Sequence, residues 1–482
     1  MKTPCVPALA ILLIAFGPIR AELADVRSYG TVNLGLLLRG GSALASSCTP
    51  KWEPEKAYDG NAGHFAAWYP DWWGAQPDKP HPWLQRDLGE ARLIGRVVTR
   101  TVLSPDRCSF KIELSEDGQL WTASAVRRNV SDEVVVTFPA VRARFVRTTF
   151  LHATSAPVVY EQLIYEVVAG RDAAGRTAAV RLVPPKPSLM ERSFPLGIFW
   201  APDPWPMSSA QFRAAARRDF PLIRDLGANA VTLGPFTPNS AEKPFAEYIA
   251  LLDEAQRHGL KLLLPVWVFN VLASRSEGVS LDDVYPAVRD TVRAVGKHPA
   301  LLGYYLFDEP LPWYASNLRT LDKVLASLDP KHPAVAIFTG PAQMRTVFPQ
   351  AGLRVNMLDV YPLTKGSPVG EIRYENAFLR GDRVEFGELM RRLRSLAPDR
   401  PAWLVAQAFS EGGWRMPEPG ELTRMCNLAV DNGFTGIWLF VYNTKASGAQ
   451  VGLVDAEGRP TRLYDESKRL FADLKRRAAR CH

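Results

Sequence analysis

The sequence predicts a multidomain protein: an antiparallel β-sandwich of jelly-roll type, followed by an α/β TIM (β/α)8 barrel. Three observations predict it. From about Val32 to Val168, short apolar–polar alternations are separated by Asp-Gly, Pro and Ser turn signals, the pattern of a sandwich. From about Pro195, apolar strands alternate with amphipathic helices, the pattern of a parallel sheet. Between them, Val183-Pro184-Pro185-Lys186-Pro187-Ser188 reads as a stiff linker. The length of 482 residues suits such a pair. With 47% hydrophobic and 22% charged residues, the chain as a whole is not disordered, collagenous or a coiled coil.

The expected boundaries are 1–21 for a signal peptide, 30–170 for the sandwich, 171–194 for the linker and 195–480 for the barrel. The first segment has Lys2, an apolar run from Val6 to Phe16, and Ala21 before a polar stretch. That is the pattern of a secretory signal, too short to span a bilayer comfortably. Cleavage after Ala21 removes Lys2 and Arg20 and no acid, lowering the net charge from +8 to +6. A secreted or periplasmic protein is expected, with no membrane span. The dense basic run Lys475-Arg476-Arg477 fits a solvated helix end, so nucleic acid is not an expected partner, and no protein partner is indicated. Cys48, Cys108, Cys426 and Cys481 show no metal-ligand spacing. Cys48 and Cys108 fall in one domain and could pair in an oxidising compartment, and Cys426 reads as a small core residue.

Sandwich strands are expected at Leu93 to Val98, Ser109 to Ser115, Val134 to Phe138 and Arg144 to Phe150. The barrel strands run Pro195–Trp200, Ala228–Phe236, Leu260–Phe269, Leu301–Phe307, Ala334–Thr339, Val355–Tyr361, Ala402–Gln407 and Gly436–Tyr442. Helices fall between them, as at Gln211 to Leu226, Phe245 to His258 and Glu421 to Asn432. Gly227, Gly259 and Gly433 follow these three, where a C-terminal cap favours a left-handed residue. A doubly wound sheet would more often carry a Gly-rich loop after its first strand, and none follows here.

The first half resembles the discoidin, or coagulation factor 5/8 C-terminal, fold that family 32 carbohydrate-binding modules share. The resemblance rests on an ordered series: Gly41-Ser42, Ser46-Ser47, Ala57-Tyr58-Asp59-Gly60-Asn61, Trp68, Leu84 to Gly89, Ser115 to Trp121 and Ala143 to Val146-Arg147. It implies a structural calcium held by Asp59, Asn61 and Glu161, hard oxygen donors that suit this ion. The competing reading is an Asx turn without an ion. Trp68, Tyr69, Trp72 and Trp73 cluster among polar and Pro residues. Trp68 is assigned to the core; Trp72 and Trp73 are candidates for stacking on sugar rings.

Barrel enzymes place their chemistry at the C-terminal strand ends. Those ends hold Trp200, Asp203, Trp267, Asn270, Asp308-Glu309-Pro310, Asp359, Tyr361, Gln407, Trp438 and Tyr442. Aromatics mixed with amides and carboxylates suit a carbohydrate. The sharpest signal is Gly303-Tyr304-Tyr305-Leu306-Phe307-Asp308-Glu309-Pro310, an apolar strand running into two acids. Burial and a neighbouring carboxylate both raise a carboxyl pKa, which keeps a general acid protonated. Pro310 is expected to push Glu309 out of the helical region.

The barrel looks like the retaining TIM-barrel glycoside hydrolases, whose strand four ends in Asn-Glu-Pro. The resemblance implies Glu309 as acid/base and a second glutamate at the end of strand seven. The chain departs twice: Asp308 replaces Asn, and Gln407 stands where the nucleophile is expected. Three accounts follow. Another carboxylate, Asp359 or Glu411, takes the second role. Alternatively, catalysis is substrate-assisted, as in family 20 hexosaminidases, with Asp308 orienting an acetamido group. Or the barrel binds sugar without cutting it. Substrate contact is expected from Gln407, Tyr361, Trp200, Trp205, Trp267, Trp438 and Tyr442, with Trp414 similar. Trp267 and Trp438 could instead fill the barrel. His258 and His298 read as helix-end residues, and no cofactor is expected for catalysis.

Overall fold

A computed structural model describes residues 28–29, 33–60, 67–71, 81–104, 106–168, 194–202, 209–233, 244–276, 278–375, 383–443 and 451–480. The expected signal segment, the linker up to residue 193, Asn61, Trp72, Trp73, Asp203 and Trp205 lie outside the described residues. Among the described residues, no helix is long and apolar enough to cross a membrane.

The front domain contains β1 (Ser28–Tyr29), β2 (Ser42–Ala45), β3 (Trp83–Arg100), β4 (Cys108–Ser115), β5 (Thr122–Val130), β6 (Glu133–Ala153) and β7 (Glu161–Val168). They pair antiparallel in the order β1-β7-β3-β6-β4-β5, with β2 on β3. Two of the expected strands, Val134 to Phe138 and Arg144 to Phe150, are one long strand, β6. Pro139 lies between them. It sits in a bulge, because Ile94 pairs with Val141 while Arg96 pairs with Thr137. A proline's missing N–H costs little there. Such bulges bend β3 and β6 so that their ends fold over a shared core.

Trp68 is in that core, as expected: it is fully buried, and its indole N–H donates to Ser47 O at 2.9 Å. Cys48 and Cys108 are free thiols, so the pairing considered from the sequence does not form. Cys108 is buried against Thr101 instead, where a small apolar side chain fits.

The barrel strands are β8 (Leu196–Trp200), β9 (Ala230–Leu233), β10 (Lys261–Pro265), β11 (Leu301–Asp308), β12 (Ala334–Thr339) and β13 (Asn356–Asp359). After a hairpin of β14 (Arg373–Glu375) and β15 (Arg383–Glu385) come β16 (Ala402–Gln407) and β17 (Gly436–Phe440). All eight barrel strands are parallel and the sheet closes on itself. Helices α1 (Ser209–Asp225), α2 (Pro244–Arg257), α3 (Trp267–Ala273), α4 (Leu281–Val295), α5 (Ala315–Leu328), α6 (Gly340–Thr346), α7 (Phe348–Ala351), α8 (Phe386–Ser395), α9 (Glu421–Asp431) and α10 (Arg462–Arg480) connect or follow the strands. Gly227, Gly259 and Gly433 have φ of 94°, 65° and 86°, the left-handed caps that the sequence implied.

Alternation along each strand decides which side chains fill the barrel. In β8, Phe199 points inward, while Ile198 and Trp200 face the helices. Trp403 and Trp438 stack inside at 5.8 Å, and the bare α-carbon of Gly197 makes room for Trp438. Strand three was read four residues too long. β10 ends at Pro265 and Trp267 opens α3 instead, because its backbone N–H leaves the sheet to meet Tyr248 Oη at 3.0 Å.

Candidate active site

The acids at the end of β11 and Asp359 at the end of β13 flank β12. Asp308 is in register with Ile337 on β12, and Thr339 of β12 is in register with Asp359 of β13. β11 shifts register between Tyr305 and Phe307, which re-aims its last residues. Glu309 N–H donates to Ile337 O at 2.9 Å, holding the next residue against β12. Glu309 lies outside the right-handed helical region, as Pro310 implied, with φ of +48° in the left-handed region. The chain must turn off the sheet in one residue to reach the buried 3-10 turn Pro312–Tyr314. A non-glycine residue there carries about 1–3 kcal/mol of strain, which the surroundings must hold.

The electrostatics follow from crowding. Burial, then the Glu309 charge, pushes Asp308 up to about 7, and the Tyr305 hydroxyl beside it pulls the other way. Asp359 is raised well above the carboxylate range by burial, then by Glu309 and Asp308, and by a hydrogen bond with Glu309. That side chain is only 6% exposed, and its Oδ1 has no hydrogen-bond partner among the described residues. Tyr305 and Tyr361 are both held protonated, by burial first and then by these acids. Burial, Asp359 and Glu309 push Tyr374, on the inserted hairpin, up to about 12. Glu411 is raised by burial, and its charge also reaches Tyr361. Asp308, Glu309, Asp359 and Glu411 thus all act on the Tyr361 hydroxyl.

An aromatic wall adjoins these acids. The Tyr361 ring meets Phe409 at 4.9 Å, Trp414 at 6.0 Å and Phe440 at 6.2 Å. Trp414 is 37% exposed and exchanges backbone hydrogen bonds with Glu411 at 2.7 and 3.2 Å. Trp267 is 45% exposed on the mouth side of β10, so it does not fill the barrel.

Four expected sugar contacts are corrected. Gln407 is fully buried: its Oε1 accepts from Leu363 N–H at 2.9 Å, and its Nε2 donates to Leu363 O and Arg415 O at 3.0 and 2.9 Å. It ties two loops together and has no group left for a ligand. Trp200 faces outward onto Phe212 and Phe220, with its N–H on Asp219 Oδ2 at 2.7 Å. Trp438 fills the barrel interior. Tyr442 is buried in the outer layer, where burial and then Asp219 raise its pKa. Tyr305 and Tyr374 were missed. Inward parity three residues before Asp308 would not mark Tyr305, because the β11 bulge breaks the count. Tyr374 belongs to a hairpin with no clear sequence signal.

In the front domain, the charges of Asp59 and Glu161 both reach Tyr314, whose pKa is raised chiefly by burial. Glu161 is fully buried. Carboxylates are hard donors of the kind calcium takes. The third expected ligand, Asn61, lies outside the described residues, and among those described no group of three His, Cys, Asp or Glu is arranged for a metal.

Comparison with known proteins decides the identity of the front domain. Residues 42–161 match the F5/8 type C domain. The barrel lies outside that match, and the curated proteins yield no match to the chain. Among solved structures, the chain is similar to chitosan-binding module 1 of a chitosanase/glucanase from Paenibacillus sp. IK-5, at 22% identity, covering 28% of this chain and 98% of that one, with a TM-score of 0.24. It is also similar to the family 32 CBM of NanJ from C. perfringens, solved with galactose, at 22% identity, covering 26% and 93%, with a TM-score of 0.23. The lectin domain of Lectinolysin, complexed with Lewis B antigen, is similar at 22% identity, covering 29% and 99%, with a TM-score of 0.23.

Proposed function

We propose that this chain is an exported glycoside hydrolase whose F5/8 type C domain binds sugar. One observation carries the catalytic reading: Glu309 and Asp359 come together at the C-terminal mouth of the barrel, where the charge of Glu411 also reaches Tyr361. Glu309 is half-buried and meets substrate, while Asp359 is buried and held protonated by that burial and its acid neighbours. Glu309 gives its proton to the glycosidic oxygen as the C–O bond breaks. Glu411 supplies the second carboxylate, attacking the anomeric carbon or taking a proton from water. Trp414 and Trp267 offer ring faces beside them. Asp308 faces Tyr305 and acts as a charge-tuning neighbour.

The F5/8 type C match and its tryptophan-rich loop support sugar binding by the front domain, with Trp72 and Trp73 as stacking residues. Asp59 and Glu161 would hold its calcium, which has no catalytic part. Export rests on the segment 1–21.

A panel of aryl glycosides tests the proposal. Glu309→Gln should lower kcat at least about 100-fold for glycosides with a poor leaving group, as loss of a general acid does, and Glu411→Gln should abolish turnover whatever the leaving group. Binding of glycans with no hydrolysis by the wild type would leave a non-catalytic sugar-binding barrel instead. The anomer first released would report whether Glu411 attacks carbon or activates water.

A further inference from the structure

The segment that leaves β11 after the two acids does not stay in the barrel. Leu311, Trp313 and Tyr314 are buried in the core of the sandwich, among Tyr58, Trp68, Phe110 and their neighbours. The Trp313 ring lies 5.3 Å from that of Tyr160, and the Arg100 guanidinium lies over it at 5.5 Å. Arg100 is nearly buried at the end of β3. It is held by Glu133 Oε2 at 2.9 Å on one side and donates to Ser276 O, in the loop after α3, at 2.7 Å on the other. Tyr314 turns back to Phe307 of β11 at 5.0 Å, and Phe307 packs on the cores of both domains.

Glu309 therefore sits between two anchors. Its N–H is tied to β12, and two residues later the chain enters the sandwich. Its left-handed backbone has no glycine to relieve it. A strained residue keeps its conformation only where flanking contacts over-determine it. Only one of those flanks belongs to the barrel.

We propose that Trp313 is a positioning residue, and that the front domain is a structural part of the barrel mouth that sets the placement of Glu309. Arg100 extends the clamp by joining β3 to both Trp313 and the α3 loop. A detachable sugar-binding module would leave the acid's geometry unchanged when the contact is loosened; a clamp would not.

The inference rests on the hydrolase reading only for its kinetic arm, so the test has a second arm that does not. The full chain is made as Trp313→Ala, Trp313→Phe and Arg100→Met. Backbone hydrogen exchange is followed by mass spectrometry over 304–314, a span that includes the Glu309 amide. Turnover is followed on an aryl glycoside. Trp313→Ala should speed exchange in that peptide about tenfold or more, leave peptides from β16 and β17 unchanged, and lower kcat about 100-fold with KM moved far less. Trp313→Phe should restore most of both. Arg100→Met keeps apolar bulk and should give a smaller change of the same kind, which decides the matter if Trp313→Ala does not fold. Faster exchange in a protein without turnover would remove the hydrolase reading and keep the clamp. A folded Trp313→Ala or Arg100→Met with unchanged exchange at 304–314 would overturn the clamp, whatever the activity.

Discussion

Replacing Asp308 with Asn should stabilise the protein above neutral pH. The folded state holds Asp308 at about 7, against 3.8 for an unshifted aspartate. From about pH 4 to 7 the folded chain keeps this proton while the unfolded chain has released it. Stability from the group is therefore present at low pH and lost as pH rises through that window. At about 1.4 kcal/mol per pH unit, the gap from 3.8 to about 7 amounts to ~4 kcal/mol. Glu309 supplies part of the displacement and solvent reaches part of the side chain, so about 2 kcal/mol belongs to Asp308 itself. Asn keeps the shape and removes the charge. Urea unfolding of wild type and Asp308→Asn, followed on the barrel transition, should agree near pH 4 and diverge by about 2 kcal/mol at pH 8, with the variant the more stable. A difference that does not change between pH 4 and 8, or a variant weaker at pH 8, would refute the reasoning that Asp308 is a crowded, proton-holding carboxyl.

Other consequences can be checked separately. An added Cβ at Gly197 would stand 2.1 Å from the Trp438 ring, so Gly197→Ala should cost about 3 kcal/mol by urea unfolding, as overpacking does; a loss under about 1 kcal/mol would mean the barrel interior is loose there. Gln407→Leu leaves the Leu363 N–H and two carbonyls without their partner. It should destabilise by about 3 kcal/mol with sugar affinity unchanged; unchanged stability with weakened affinity would restore Gln407 to the sugar site. In thiol labelling of the native protein, Cys48 should react, while Cys108, buried and pushed up to about 11, should wait for unfolding. A reductant should leave Tm unchanged, and a Tm that falls would reveal a disulfide.

Local signals made most of the fold legible. The strands β12 and β16 were bounded to the residue, because each is a short apolar run closed by a polar or turn signal. The helices α1, α2 and α9 were found to within two residues, since an apolar stripe and a capping glycine mark each one. Strand three was overrun because Val266, Trp267 and Phe269 favour strands by type while the chain turns into α3. The meeting of Glu309 and Asp359 was legible because strand ends of a barrel come to one mouth whatever the loops do. The orientations of Trp200, Trp438 and Tyr442 were not. A strand end says that a residue is near the mouth, but alternation and local turns decide whether it faces helix, interior or solvent.

The order of side chains along the chain determined the two architectures, the eight-strand count and the presence of acids at the end of strand four. Those depend on period and on contacts between near neighbours. Only the tertiary structure decided that Gln407 spends its amide on two loops, that Glu309 and Asp359 meet across β12, and that Trp313 is buried in the other domain. Each of these joins residues far apart in sequence, through burial and register that no local pattern encodes.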